Sequence, residues 1–272
     1  MVSIIISSYQ DNYYSALQKN IADTIGIVYE MIRIHNPGTM GICEAYNRGA
    51  SKAQYDNLLF IHEDIIFRTQ DWGAKLISHL QCEGTGVFGL AGSNYVPTAP
   101  SAWSVPSEKY KFANVNSKIP ALEKNTSPTL VYALDGVFLA VKKMVYDEFR
   151  FDEKLEGFHG YDTDFSLRVA TKYKNFVIWD IFIKHFSKGK PDEQYLINNM
   201  QIRKKTDYRF HPNYDAVLED ITFHNFLRDY FRYNKVSLKG IRSTLPFIPT
   251  KVSFKMKLIV LRSYLYYIVK NF

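Results

Sequence analysis

The sequence is poor in cysteine, with only Cys43 and Cys82 in 272 residues. Two cysteines cannot form the disulfide framework of a small secreted domain, and they favour a reducing compartment. No stretch contains the roughly 18 consecutive apolar residues of a membrane-spanning helix. The apolar start, Met1–Ile6, lacks the charged region and the cleavage site of a signal peptide. We therefore predict a cytoplasmic protein in which this first apolar segment is a buried strand.

Glycine-rich phosphate-binding loops are missing as well. The sequence contains neither Gly-x-Gly-x-x-Gly nor a Walker-type loop, which argues against Rossmann dehydrogenases and P-loop enzymes. It has no compact RNA- or DNA-binding motif, so no nucleic-acid partner is predicted. Aromatic residues, in contrast, make up 15% of the chain. That content suits both core packing and stacking on bases or sugar rings.

The net charge of +7 is unevenly distributed along the chain. Residues 196–272 contain 14 Lys and Arg against 5 Asp and Glu, whereas residues 1–195 contain 20 against 22. We predict a body at 1–195 and a basic, aromatic-rich, mainly helical C-terminal extension at 196–272. Within it, Phe254–Phe272 has the pattern of a basic amphipathic helix, which predicts peripheral contact with the inner face of an anionic membrane. Packing on the protein's own body, or on a second copy in a homodimer, would give the same pattern.

Strands alternate with helices over residues 1–91. The predicted strands are Ser3–Tyr9, Gly26–Ile34, Asn57–Ile61 and Val87–Ala91. Such alternation predicts an α/β fold with a mostly parallel central sheet and helices on both faces. Because ligands of these sheets bind beyond the carboxyl ends of the strands, we expect residues 62–64, directly after the third strand, at the ligand-binding edge.

The second half of the chain departs from this alternation. Residues 92–129 predict a long loop that covers the site or binds an acceptor. Further along, Leu130–Val141 and Phe176–Ile183 predict strands, and Asp162–Lys174 predicts a helix.

Three side chains at the ends of these elements suit metal-dependent transfer chemistry. A diphosphate leaving group gains negative charge, which a divalent cation can stabilise. Asp64 and His185, each after a predicted strand, offer a carboxylate and an imidazole to Mn²⁺ or Mg²⁺. Asp162 can act as general base toward an acceptor hydroxyl. Helix capping by Asp162 and a structural role for His185 are the plainer alternatives.

Several segments, in their order along the chain, resemble the family 2 glycosyltransferases of the GT-A fold. The resemblance is closest to a bacterial branch in which His-x-Asp replaces the Asp-x-Asp metal motif. It covers about residues 2–190, with departures from the family at His62 and Tyr161. The matching segments are Ser3–Tyr9, Tyr29–Asn36, Tyr46–Ala50, Leu59–Asp64, Leu134–Leu139, Phe151–Arg168 and His185–Gly189.

This resemblance implies transfer of a sugar from a nucleotide diphosphate sugar, typically UDP-linked, to a hydroxyl of a glycan or lipid-linked glycan, as in polysaccharide biosynthesis. It implies inversion at the anomeric carbon, with Asp162 as the catalytic base and Asp64 and His185 as ligands of Mn²⁺ or Mg²⁺. It implies phosphate contacts for Ser187 and Lys188, and it leaves His62 without a role. The residues implied in nucleotide and donor binding are Ser7, Ser8, Tyr9, Asn36, Asn47, Glu63, Asp135 and Gly136.

Two other functions remain open at this point. A sugar-phosphate nucleotidyltransferase also combines an α/β sheet with a metal ion. It usually carries a glycine-rich loop after its first strand, where this chain has Ser7–Asp11. A catalytically silent nucleotide-sugar-binding protein is the second alternative, because His62 and Tyr161 depart from the family motifs.

Overall fold

The structure, a computed structural model, describes residues 1–116, 127–187, 189, 191–206, 210–211, 213–249 and 254–270. The strands are β1 (Val2–Ser8), β2 (Tyr29–His35), β3 (Asn57–Ile61), β4 (Ile65–Phe67), β5 (Thr85–Gly89), β6 (Ala91–Ser93), β7 (Lys111–Ala113), β8 (Thr129–Val131), β9 (Ala133–Leu134), β10 (Phe138–Lys142), β11 (Lys174–Val177) and β12 (Ile183–His185). The helices are α1 (Asp11–Thr24), α2 (Ile42–Ala50), α3 (Trp72–Gln81), α4 (Lys143–Phe149), α5 (Tyr161–Val169), α6 (Glu193–Lys205), α7 (Ala216–Tyr233), α8 (Leu238–Thr244) and α9 (Phe254–Lys270).

Seven strands form the central sheet, in the order β2-β1-β3-β10-β5-β11-β8. The pairs of β1 with β2 and β3 are parallel, as is the pair of β5 and β11, whereas β10 is antiparallel to both of its neighbours. Two smaller sheets, β12-β4 and β7-β6-β9, complete the fold. The predicted α/β class and the strand–helix alternation of the first half are confirmed.

Side chains alternate between the two faces of β1 and β3, because successive residues of a strand point to opposite sides. Ile5 and Phe60 belong to a core cluster with α2, whereas Ile4 and Leu59 belong to a second cluster with α1 and α3. Gly49 of α2 lies so close to the sheet that an added Cβ would be 2.3 Å from Ile5 Cγ2. Helices therefore cover both faces of the sheet, and its edge is left for the site.

The second half differs from the predictions in two places. Leu130–Val141 is divided into β8, β9 and β10 rather than forming one interrupted strand. The prediction of one strand over Phe176–Ile183 is wrong, since β11 ends at Val177 and β12 belongs to another sheet. Ile178 and Ile181 between them are fully buried, which makes the segment resemble a strand. Asn114 Nδ2 donates to both of their carbonyls, at 3.3 and 2.9 Å.

The predicted loop at 92–129 also contains regular structure, namely β6 and β7; residues 117–126 lie outside the described part. The C-terminal helices pack on this segment. Glu219 of α7 is 1% exposed and accepts hydrogen bonds from Tyr95 OH and Thr98 N, both at 2.9 Å. The division of the chain at residue 195 stays a prediction. None of the described helices is both long and apolar enough to cross a membrane.

Candidate active site

His62, Asp64 and His185 meet at the carboxyl end of β3. His62 directly follows β3, and the antiparallel pair of β12 with β4 sets His185 opposite Ile65, beside Asp64. One ligand atom from each of the three side chains lies within 4.8 Å of the others. His185 Nε2 is 3.3 Å from Asp64 Oδ1 and 3.5 Å from His62 Nδ1. The sequence predicted Asp64 and His185 as metal ligands, and the structure brings His62 together with them.

The protonation states of His62 and Asp64 suit a metal ion. Burial, together with the neighbouring His185, lowers the pKa of His62 to about 4. Burial opposes ionisation of Asp64, but hydrogen bonds from His185 and Ser187 outweigh it and hold the pKa of that carboxyl below its usual range. A neutral imidazole and an ionised carboxylate are the forms that bind metals. Two imidazoles beside one carboxylate fit Mn²⁺ better than Mg²⁺, which prefers an all-oxygen environment.

Asp162 lies in the first turn of α5, where two loops converge. Its Oδ2 accepts a hydrogen bond from Gly136 N at 2.8 Å, and its Oδ1 accepts one from Thr163 N at 2.7 Å. Burial raises the pKa of Asp162, and these backbone hydrogen bonds act against that rise. A carboxyl with a raised pKa is the form that a general base near neutral pH requires. Asp164, two residues on, is instead fully engaged with Arg168, 2.7 Å away.

Asp135 and Tyr161 surround this carboxylate. Burial raises the pKa of Asp135 to about 7, and the charge of Asp162 adds to the effect. Tyr161 is buried, and its hydroxyl forms a 2.9 Å hydrogen bond with His62 Nε2. An added Cβ on Gly136 would lie 2.0 Å from the same hydroxyl. Tyr161 therefore connects the loop at residues 135–136 to the His62 cluster.

A cavity of about 510 Å³ opens beside the cluster at the ends of β1, β2 and β3. Its volume lies within the range of small-molecule sites. It is lined by Ser7, Tyr9, Gln10, Asn36, Pro37, Gly38, Ile42, Tyr46, His62, Glu63, Asp64, Phe158, Tyr161 and Ser187. Ser7, Tyr9, Asn36, Glu63, Asp64 and Ser187 were predicted at the site.

Glu63, in the lining of this cavity, is joined to Ser8 in a hydrogen-bonded chain. Ser8 Oγ donates to Glu63 Oε2 at 2.6 Å and accepts from Arg33 Nε at 3.1 Å. Gln10 N also donates to Glu63, at 3.1 Å. Glu63 thus points toward the end of β1, whereas its neighbours His62 and Asp64 point toward His185. The hydrogen bonds to Glu63 hold the backbone at residues 8–10 in place, where β1 ends beside the cavity.

Two other predicted residues make mainly internal contacts. Asn36 Oδ1 accepts from Thr39 N and Met40 N, at 3.1 and 3.2 Å, and so shapes the turn on the cavity wall. Asn47 Oδ1 accepts from Tyr146 OH at 2.6 Å, and its amide donates to Phe151 O at 3.0 Å. Asn47 does not line the cavity.

The remaining predicted residues lie near the His62–Asp64–His185 cluster or outside the described part of the chain. Ser187 N donates to Asp64 Oδ2 at 3.1 Å, and Ser187 Oγ is 3.2 Å from His185 Nε2. Lys188 lies outside the described residues. Sequence reasoning gave no role to Tyr46, Phe158 or Tyr161, which also line the cavity. Tyr161 alone carried a signal, as its position adjoins Asp162 and departs from the resembled motif.

Comparisons with known proteins agree with this geometry. The family described as "Glycosyltransferase like family" matches residues 3–213. No curated protein matches the chain by sequence. GalNAc-T7, solved with UDP, GalNAc and Mn²⁺, has a TM-score of 0.61 and 13% identity over 98% of this chain, which spans 58% of that protein.

A second similar structure is S. aureus TarS 1-349 in complex with UDP. It has a TM-score of 0.52 and 13% identity, covering 99% of this chain and 88% of that one. The same protein with UDP-GlcNAc gives a TM-score of 0.52 at 14% identity, over 91% of this chain and 81% of that one. At such identities the likeness shows a shared fold, that of the GT-A glycosyltransferases.

Proposed function

The chain belongs to the glycosyltransferase-like family, and we propose that it transfers a sugar from UDP, with Mn²⁺ or Mg²⁺, to a hydroxyl of a glycan or lipid-linked glycan. The observation that carries the proposal is the His62–Asp64–His185 cluster, which lies at the wall of the 510 Å³ cavity and contacts α5 through Tyr161. The reaction inverts the anomeric centre, because Asp162 is a base and forms no covalent intermediate.

His62, Asp64 and His185 would hold the divalent cation. When bound, the cation would stabilise the charge that develops on the diphosphate leaving group. The three side chains are already close together in the described structure, so little reorganisation is needed. Ser187 donates its backbone N–H to Asp64, and this contact orients the carboxylate toward the cluster. Mn²⁺ is the preferred ion because two of the three ligands are imidazoles.

Asp162 accepts the proton of the attacking hydroxyl. The N–H groups of Gly136 and Thr163 hold its two oxygens in place. Burial raises its pKa, and its proton affinity as a base is therefore greater than that of an exposed aspartate. The half-buried Asp135 and the buried Tyr161 limit the access of water to this carboxylate.

The nucleotide occupies the cavity at the ends of β1 and β2. Tyr9 at its wall is 59% exposed, which leaves an aromatic face free for a base. Asn36, Pro37 and Gly38 also line this cavity. The similar GalNAc-T7 and TarS structures both contain UDP, and this supports uracil as the base.

The acceptor approaches along a groove between α6 and α7. Two depressions of about 180 and 170 Å³ share Tyr195, Arg228 and Asp229 in their lining. Asn199 Oδ1 and Ser101 Oγ are buried in the second one without a hydrogen-bond partner among the described residues. An aromatic ring beside amide, guanidinium and carboxylate groups suits the hydroxyls of a sugar, which would satisfy these buried atoms.

This groove is tied to the catalytic loop. Asn198 Nδ2 donates to the carbonyls of Glu156 and His159, at 2.8 and 2.7 Å, just before Asp162. We expect Asn199→Ala to raise the acceptor KM about tenfold, through the loss of one hydrogen bond in a buried site. Donor hydrolysis without acceptor should be unchanged; an unchanged acceptor KM would contradict this route.

We place the enzyme in the cytoplasm, on the inner face of a membrane. Both cysteines are free, which supports a reducing compartment. Membrane contact is proposed through the C-terminal extension, with a homodimer as the competing arrangement. Co-sedimentation with lipid vesicles and light scattering distinguish membrane contact from a homodimer.

Two substitutions distinguish the role of the catalytic base from that of the metal ligands. Asp162→Asn should lower transfer about 10²- to 10⁴-fold, the usual contribution of a general base, while UDP binding with Mn²⁺ is retained. Asp64→Ala should instead weaken Mn²⁺-dependent UDP binding, measured by calorimetry. Asp23→Asn, on the exposed side of α1, is the control. Normal turnover by the Asp162 variant would refute its role.

A catalytically silent binding protein is the alternative to an active enzyme. The replacement of the family's usual residues by His62 and Tyr161 is the observation that favours it. A donor-hydrolysis assay with UDP-sugars and Mn²⁺ distinguishes the two, because a silent protein would bind the UDP-sugar without hydrolysing it. Release above the level of the Asp162→Asn variant would exclude this alternative.

A further inference from the structure

Helix α9 carries a stripe of exposed apolar side chains. Its members are between 50% and 76% exposed. Their spacing of three or four residues places them on one side of the helix. They are Phe254, Leu258, Leu261, Leu265 and Val269.

The helix is attached to the protein by a different side. Val260 and Tyr264 are 6% and 7% exposed and belong to a core cluster with α7. Tyr264 OH and Thr244 Oγ1 are 2.8 Å apart, and Ser263 Oγ is 2.7 Å from His224 Nε2. The exposed stripe is therefore not needed to dock α9 on its own protein. A contiguous exposed apolar surface of this kind marks an interaction site.

The charge around the stripe indicates its partner. After Asp229 the sequence contains nine Lys and Arg and no Asp or Glu. At 100° per residue, Lys257 and Arg262 lie on opposite flanks of the stripe, and both are exposed. A helix with an apolar face, cationic flanks and no acidic residue matches an anionic bilayer surface. A symmetric pair of such helices would bring like charges together.

We propose that the exposed stripe of α9 inserts into the surface of an anionic lipid bilayer and attaches the protein to it peripherally. The leucines enter the boundary between headgroups and acyl chains, while Lys257 and Arg262 contact lipid phosphates. Binding rests on this helix alone and does not depend on the proposed transfer reaction. Membrane binding gives a role to the exposed stripe of α9, which belongs neither to the cavity nor to the His62–Asp64–His185 cluster.

The test is co-sedimentation of the full chain with vesicles of phosphatidylcholine alone or mixed with phosphatidylglycerol. Wild-type protein should bind the anionic vesicles more tightly, and added salt should weaken binding. Leu261→Glu with Leu265→Glu should weaken it at least about a hundredfold, through loss of buried apolar area. Lys257→Gln with Arg262→Gln should weaken it about thirtyfold on anionic vesicles only, since each cation contributes about fivefold.

Met144→Glu, on an exposed position of α4, is the matched control and should bind as wild type does. Retention of the melting temperature and of UDP binding shows that the variants are folded. Failure of the wild type to bind anionic vesicles, or unchanged binding by the leucine variant, would overturn the proposal. So would a wild-type dimer in light scattering that the leucine variant converts to a monomer without any vesicle binding.

Discussion

Gly136 is a residue whose identity is dictated by its neighbour. An added Cβ would lie 2.0 Å from Tyr161 OH, far inside contact distance, while Gly136 N holds Asp162 at 2.8 Å. We expect Gly136→Ala to lower the free energy of unfolding by about 1–3 kcal/mol, the usual cost of overpacking. It should also lower kcat, because the shift reaches Asp162.

Thermal denaturation and steady-state kinetics measure these two effects. Gly189→Ala is the control for stability, because no atom of the described residues lies within 4 Å of its added Cβ. A stable, fully active Gly136 variant would show that the loop relaxes freely around the tyrosine.

Asp135 makes the stability of the protein depend on pH. Burial, aided by the charge of Asp162, raises its folded-state pKa from 3.8 to about 7. The folded state therefore holds this proton more tightly than the unfolded state does. Its contribution to stability is fully present below about pH 4 and is lost as pH rises through about 7. Asp135→Asn should reduce the loss of stability over that interval.

Urea denaturation of metal-free protein at several pH values provides the measurement. The asparagine retains an oxygen for Val137 N, which donates to Asp135 Oδ1 at 3.1 Å. If wild type and variant lose stability in parallel between about pH 4 and 7, ionisation of Asp135 is not the cause.

His62 is the residue for which sequence gave a position but no role. Its distance to His185 predicts that His62→Ala weakens Mn²⁺ binding, by roughly tenfold or more, since one of three protein ligands is lost. Calorimetry with Mn²⁺ alone measures this effect without reference to activity. Tyr161→Phe removes the hydrogen bond to His62 but no ligand, so it should weaken Mn²⁺ less. Equal losses in both variants would mean that His62 acts only through the tyrosine.

At the scale of elements, β12 depends on a buried amide. Asn114 is fully buried, and its amide holds the carbonyls of Ile178 and Ile181 just before β12. We expect Asn114→Ala to cost about 1–3 kcal/mol of stability, because two buried carbonyls lose their donor. The same change should weaken Mn²⁺ binding, since β12 positions His185. Loss of stability with unchanged Mn²⁺ affinity would show that the hydrogen bonds of Asn114 do not affect the position of His185.

The predictability of the elements follows from their length and environment. Buried, continuously apolar segments such as Asn57–Ile61 were identified with correct bounds, because a short apolar run is typical of a central strand that is covered on both faces. The pair β4–β12 was missed, since strands of three residues carry no period. The position of a candidate site residue could be predicted where it follows closely on such a strand, as Asp64 follows β3. The role of Tyr161 was not, because it arises from contacts with residues far away in sequence.

At the scale of the whole molecule, Glu219 links the C-terminal helices to the rest of the chain. Its buried carboxylate accepts hydrogen bonds from Tyr95 and Thr98, so Glu219→Ala would leave two donors unsatisfied in the interior. We expect a loss of about 2–5 kcal/mol. Tyr95→Phe, which removes only one of these donors, should cost less.

The same contacts predict how the molecule unfolds. Because α7 is joined to residues 95–98 through buried hydrogen bonds, calorimetry should record one cooperative transition for wild type. Two separate transitions would favour the division at residue 195 into independent domains.

The candidate metal cluster also has a consequence for synthesis of the chain. His62 and His185 are separated by 123 positions, so a nascent chain that has already formed β1 and β3 still lacks its third ligand. Only after β12 has left the ribosome and paired with β4 can the cluster close. Divalent cations would then protect chains that contain His185, but not translation products that end before it, against proteolysis. Proteases would in that way remove the chains that cannot bind the metal ion and spare those that can.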